Sequence, residues 1–167
     1  MMALINSDVF TELAVGKRVT KLVATRYRED VEIEKDLDFL SCCGCYLFLD
    51  GDDTPINFCS YVSDSKYTLL LERLEENEYA ERTKEISSYM LDQTLEDYCG
   101  KIINSASIYK EKGDFVSYSL SLSEGIELVI SAGRRFEAGD SYVVEGPDED
   151  IIIFDSQSTA RSYGLAP

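Results

Sequence analysis

The chain reads as an α+β protein, mainly antiparallel β-sheet, and three observations predict it. Short apolar stretches alternate with polar residues at period two, the signature of half-buried strands. Acidic-glycine pairs, Asp50-Gly51 and Glu124-Gly125, separate several of them and supply hairpin-turn chemistry. The pattern also occurs twice, since SDVFTELAVGKRVTKLVA (Ser7 to Ala24) has a counterpart half a chain later in LDQTLEDYCGKIINSASI (Leu91 to Ile108). The expected architecture is two repeated helix-plus-β-meander halves in one compact domain. Residues 1–73 form the first half, and residues 74–167 carry a linking helix and the second.

Each element follows in order. Ser7 is the expected N-cap of a short helix with Val9, Phe10, Leu13 and Ala14 on one face, stopped at Gly16-Lys17. Val19 to Tyr27 is the first strand. In VEIEKDLD, Glu32, Glu34, Asp36 and Asp38 recur with period two against Val31, Ile33 and Leu37, which predicts a strand with a carboxylate ladder on its exposed face. CYLFLDGDDTPINF (Cys45 to Phe58) predicts a hairpin that turns at Asp50-Gly51, and Lys66 to Glu72 a third strand. Leu74 to Leu91 predicts a helix, continuing toward residue 98, with Ala80, Ile86, Tyr89 and Met90 inward. Asp92 or Thr94 would cap a second helical turn carrying Leu95, Tyr98 and Cys99 ahead of Gly100-Lys101. Strands are then expected at Ile102 to Tyr109, on both sides of Glu124-Gly125 within Ser117 to Ile130, at Asp140 to Glu145, and at Asp150 to Asp155.

Composition narrows the function. The 167 residues carry a net charge of −16 and a pI near 4.3, which disfavours nucleic acid and anionic membranes as partners and favours a basic protein. No apolar run approaches the roughly 20 residues that cross a bilayer, and MMALINSDVF has no basic, then apolar, leader pattern. A cytoplasmic location is the expectation. The absence of histidine removes the commonest general base and metal ligand. Five cysteines are an odd number, suited to reduced thiols. Cys42, Cys43, Cys45 and Cys59 could offer four thiolates to zinc, but they lack paired Cys-x-x-Cys knuckles, and no metal or other cofactor is expected.

Two resemblances bear on activity. CYLFLDGDDTP resembles the first motif of the haloacid dehalogenase superfamily, which implies Asp50 as nucleophile, Asp52 as general acid and a magnesium ion between them. The second copy keeps the hairpin pattern without an Asp-x-Asp, so a turn accounts for these residues and no enzyme is expected. In its general pattern the chain resembles bacterial toxin immunity proteins of the contact-dependent or secreted-toxin type. The pattern lies in LAVGKRVTKL (Leu13 to Leu22), its copy DYCGKIINSA (Asp97 to Ala106) and the acidic hairpins that follow. That resemblance implies a small acidic inhibitor whose carboxylates occupy the active site of a basic, nuclease-type toxin.

The expected contact residues are Glu32, Glu34, Asp36 and Asp38, with Asp50, Asp52 and Asp53 at the neighbouring turn; Asp148, Glu149 and Asp150 come next. A phage-type DNA mimic is the alternative binding role. However, the basic pairs Arg26 and Arg28, Arg82 and Lys84, and Arg134 and Arg135 interrupt the negative surface and favour a local acidic site. The sequence leaves both a monomer and a dimer open, because an unpaired meander edge can accept a second copy.

Overall fold

The structure, a computed structural model, describes residues 3–167. In chain order the elements are β1 (Ala3–Leu4), α1 (Ser7–Ala14), β2 (Val19–Tyr27), α2 (Arg28–Ile33), β3 (Leu40–Cys42), β4 (Gly44–Leu49), β5 (Ile56–Ser63) and β6 (Lys66–Arg73). These are followed by α3 (Glu76–Lys84), β7 (Met90–Thr94), a 3-10 turn (Glu96–Tyr98), β8 (Ile103–Glu111), β9 (Asp114–Leu122), a second 3-10 turn (Ser123–Gly125), β10 (Glu127–Ala138), β11 (Ser141–Phe154) and α4 (Gln157–Ser162). The strands form two antiparallel sheets, ordered β1-β6-β5-β4-β2-β7 and β3-β11-β10-β9-β8. The α+β class with antiparallel sheets is as the sequence predicts. Each sheet contains a four-stranded meander, β2-β4-β5-β6 in the first and β8-β9-β10-β11 in the second. Among the described residues, no helix is long and apolar enough to cross a membrane.

The sheets face one another over the main core. Leu22, Leu47, Phe58 and Leu71 of the first sheet meet Tyr118, Leu120, Ile130 and Ile153 of the second, all of them buried. Helix α1 plugs this interface with Phe10, whose ring lies edge-on to Phe58 at 5.6 Å and to Tyr118 at 5.2 Å. Its N-cap is Asn6, whose side chain accepts a hydrogen bond from the Val9 backbone N–H at 2.9 Å, one residue earlier than the sequence pattern placed it. Two smaller clusters cover the outer faces. Phe39, Val129, Val144, Ile152 and Phe154 pack under Ala160 and Leu165, while Val23, Tyr46 and Leu74 pack with Tyr79 of α3.

Four expectations are corrected. Residues 31–38 are not a strand: α2 ends at Ile33, and Leu37 N–H bonds back to the Glu34 carbonyl at 3.0 Å, so the chain turns tightly. The linking helix covers only Glu76–Lys84, because Met90–Thr94 is recruited as an edge strand against β2; Ala80 and Tyr89 are exposed. The second helical turn is a 3-10 turn, since the Leu95 N–H is held by the Leu22 carbonyl at 2.8 Å. The last two expected strands are one long strand, β11, whose pairing jumps from Gly133↔Asp150 to Arg134↔Glu145 and leaves Gly146 to Glu149 bulging out.

Candidate functional site: an acid-lined cleft

Glu96 and Asp97 are pushed outward by the residues that flank them. Leu95 and Tyr98 are buried pins, the Gly100 N–H donates to the Val19 carbonyl at 2.7 Å, and Gly100 closes the turn at φ +83°, where glycine meets no steric penalty. The acids between the pins have only solvent to enter. Asp155 joins them from the end of β11, just after fully buried Phe154 and just before Ser156, the N-cap of α4. Asp38 comes from the turn after α2, where its carboxylate accepts a hydrogen bond from the Tyr163 hydroxyl at 2.9 Å.

These residues line a cleft with two chambers of about 560 and 700 Å³. Glu96, Asp97, Tyr98 and Asp155 belong to both chambers, Asp38 to the first and Glu127 to the second. Among the described residues, no lysine or arginine lies within 4 Å of the carboxylates of Glu96, Asp97 or Asp155. Lys101, on the second chamber, is drawn into an ion pair with Glu124. The negative field shows in the phenol of Tyr98, pushed up to about 12 by burial and then by Asp155 and Asp97. Carboxylates gathered in this way create a negative potential at the cleft mouth, offset in part by Lys35 on its rim.

The residues singled out in the sequence divide into three groups. Glu32, Asp36 and Asp38 are exposed around α2, and of the seven only Asp38 and the buried Glu34 line the acid cleft. Glu34 is buried and already satisfied. Its carboxylate binds Arg26 at 2.5 Å, Arg135 at 2.7 Å, the Ser41 N–H at 2.8 Å and the Ser41 hydroxyl at 2.5 Å, joining α2 to β2, β3 and β10. Asp50, Asp52 and Asp53 cap the β4–β5 hairpin, where Asp52 pairs with Arg73 at 2.8 Å. This hairpin is not the neighbour of the first group. Val19 pairs with Leu49 while α2 leaves from Tyr27, so the length of β2, about 26 Å at ~3.3 Å per residue, lies between them.

Beside the dehalogenase-like motif, β4 runs antiparallel to both β2 and β5, and the aspartates sit on a hairpin end. Among the described residues, no group of three or more Cys, Asp or Glu side chains is arranged to hold a metal ion. Burial pushes the Cys43 thiol up to about 11 and the Cys45 and Cys59 thiols up to about 12, so these three stay protonated at neutral pH. Glu96, Asp97 and Asp155 escaped the sequence reading. The Glu96-Asp97 pair between Leu95 and Tyr98 is the available signal.

Compared with known proteins, the chain matches no family model, no curated protein and no solved structure.

Proposed function

We propose that this chain is an acidic binding protein that neutralises a basic protein, in the manner of an immunity protein covering the active site of a nuclease-type toxin. One observation carries the reading. In a chain of net charge −16, the unpaired carboxylates of Glu96, Asp97 and Asp155 converge on one cleft, and Asp38 extends it. Carboxylates arranged around a groove complement the basic surface of a phosphate-binding enzyme and steer its approach. We read the two meanders as copies of one duplicated unit, elaborated differently at α2, and we place the protein in the cytoplasm, where five unpaired cysteines are at home.

The test is to co-express the protein with the product of the gene immediately upstream. Neutralisation of a toxic product, with co-purification of the two chains, is the expected result. Combined Glu96→Lys, Asp97→Lys and Asp155→Lys substitution should weaken binding by ~100-fold or more and slow association, whereas Asp50→Lys with Asp53→Lys should leave binding unchanged. A partner bound equally well by the triple variant would remove the cleft from the interface. An upstream product that is neither toxic nor bound would sink the immunity reading.

A further inference from the structure

A second cavity, of about 440 Å³, opens where the β11 bulge meets α2 and the end of β2. It is lined by Tyr27, Asp30, Ser41, Arg134, Arg135, Glu149 and Asp150. Its charges nearly balance. Arg135 pairs with Asp30 at 3.1 Å and with Glu34 at 2.7 Å; Arg26 pairs with Glu34 from behind, and Arg134 pairs with Glu149 at 3.1 Å. Four carboxylates, Asp30, Glu34, Glu149 and Asp150, therefore meet three guanidiniums. The carboxylate left over is that of Asp150, which is half-buried and makes no hydrogen bond or ion pair with any described residue. Burial, then Glu149, pushes it up to about 6; Arg134 opposes this from a distance, and Asp30 and Asp148 add to the upward push. The site is one cation short.

An aromatic wall stands beside the vacant charge. Tyr27 lines the cavity, and its ring stacks on Tyr89 with centroids 5.8 Å apart and planes within 6°. Both rings are unusually open for tyrosine, 40% and 61% exposed. Asp150 and Asp30 lie within electrostatic reach of Tyr27, whose phenol is held above its ordinary value by Cys43, by burial, by Tyr89 and by these two acids. An exposed tyrosine pair beside an unpaired carboxylate offers a planar cation a face to stack on and an anion to bond, and a guanidinium uses both where an ammonium uses mainly the charge.

We propose that this cavity receives one arginine side chain of the basic partner, its guanidinium stacked on Tyr27 and bonded to Asp150. The assignment rests on the reading of the partner as a basic protein, and it places a second, separate anchor on the far side of the Glu34 ion-pair cluster from the acid cleft. Tyrosine and arginine are among the residues enriched where binding energy concentrates in protein interfaces.

The test needs no partner, so its failure is distinct from failure of the immunity reading. The intact chain, labelled for NMR at the tyrosine rings and carboxyl carbons, is titrated at pH 7 with methylguanidinium. Methylammonium and potassium are run in parallel at matched ionic strength. Saturable shifts at Tyr27 and Asp150 are expected with methylguanidinium, with a lowered Asp150 titration midpoint. Methylammonium should bind several-fold more weakly. Asp150→Asn should weaken methylguanidinium binding by roughly tenfold or more, and Tyr27→Leu should erase the preference for guanidinium over ammonium. No saturable response, an equal response to all three cations, or binding unchanged in Asp150→Asn would each overturn the proposal.

Discussion

Asp150 shows how much a single side chain can report. Its carboxyl titrates near 6 in the folded protein, against ~3.9 in an unfolded chain. Between those values the folded state keeps a proton that the unfolded state has released. Stability therefore falls as pH rises through this window, and the penalty is fully present above pH 6. Solvent reaches the group and screens part of the cost, which leaves about 1 kcal/mol. Asp150→Asn should raise the Tm at pH 7.5 by about 2–4 °C, and the gain should vanish below pH 4. Differential scanning calorimetry at the two pH values checks this, and a variant that is less stable at pH 7.5 would show that the carboxylate has a partner in the folded state.

At the scale of elements, α2 is held by charge. None of its residues is fully buried, and Val31 and Ile33 are only partly covered. What fixes it is Glu34 at its C-terminus, bonded to Arg26, Arg135 and Ser41. Removing one partner of a buried ion pair leaves an uncompensated charge, in this case Arg26 at 4% exposure. Glu34→Ala should cost about 3–5 kcal/mol in urea unfolding, whereas Glu32→Ala and Asp36→Ala should be close to neutral. Equal, small effects at all three positions would mean that α2 is anchored by other contacts.

The same segment marks the limit of what the sequence discloses. β2, β4, β6 and β9 were legible, because each is a short apolar-rich stretch bounded by turn residues, and each contributes buried residues to the core. The acids of VEIEKDLD also alternate, but Asp30 and Glu34 lie one helical turn apart, with the Glu34 N–H bonded to the Asp30 carbonyl at 2.9 Å, and both reach Arg135. The deciding partner, Arg135, lies a hundred residues away, where no local pattern reaches. β7 was hidden for a similar reason: its residues suit a helix, and the open edge of β2 makes them a strand.

At the scale of the molecule, the boundary between residues 73 and 74 is crossed in both directions. β7, from the C-terminal side, completes the first sheet against β2, and β3, from the N-terminal side, pairs with β11 in the second. Phe10 ties the two sheets again through Phe58 and Tyr118. The intact chain should unfold in one calorimetric transition, and residues 1–73 made alone should show no cooperative melt. A fragment that melts cooperatively would make the crossing strands dispensable.

The exchange of β3 and β7 also sets a timetable. Cys42 leaves the ribosome more than a hundred residues ahead of its sheet partner Ile151. Until then β3 waits beside Thr25, whose carbonyl holds the Cys43 N–H at 2.9 Å, with nothing across from it. Contacts so distant in sequence carry a high closure entropy and form slowly. Most of the first sheet can assemble while translation continues. The cavity that joins Asp30 and Ser41 to Arg135 and Asp150 can exist only after β11 arrives, so a guanidinium-binding chain is one in which β11 has already closed against β3 and β10.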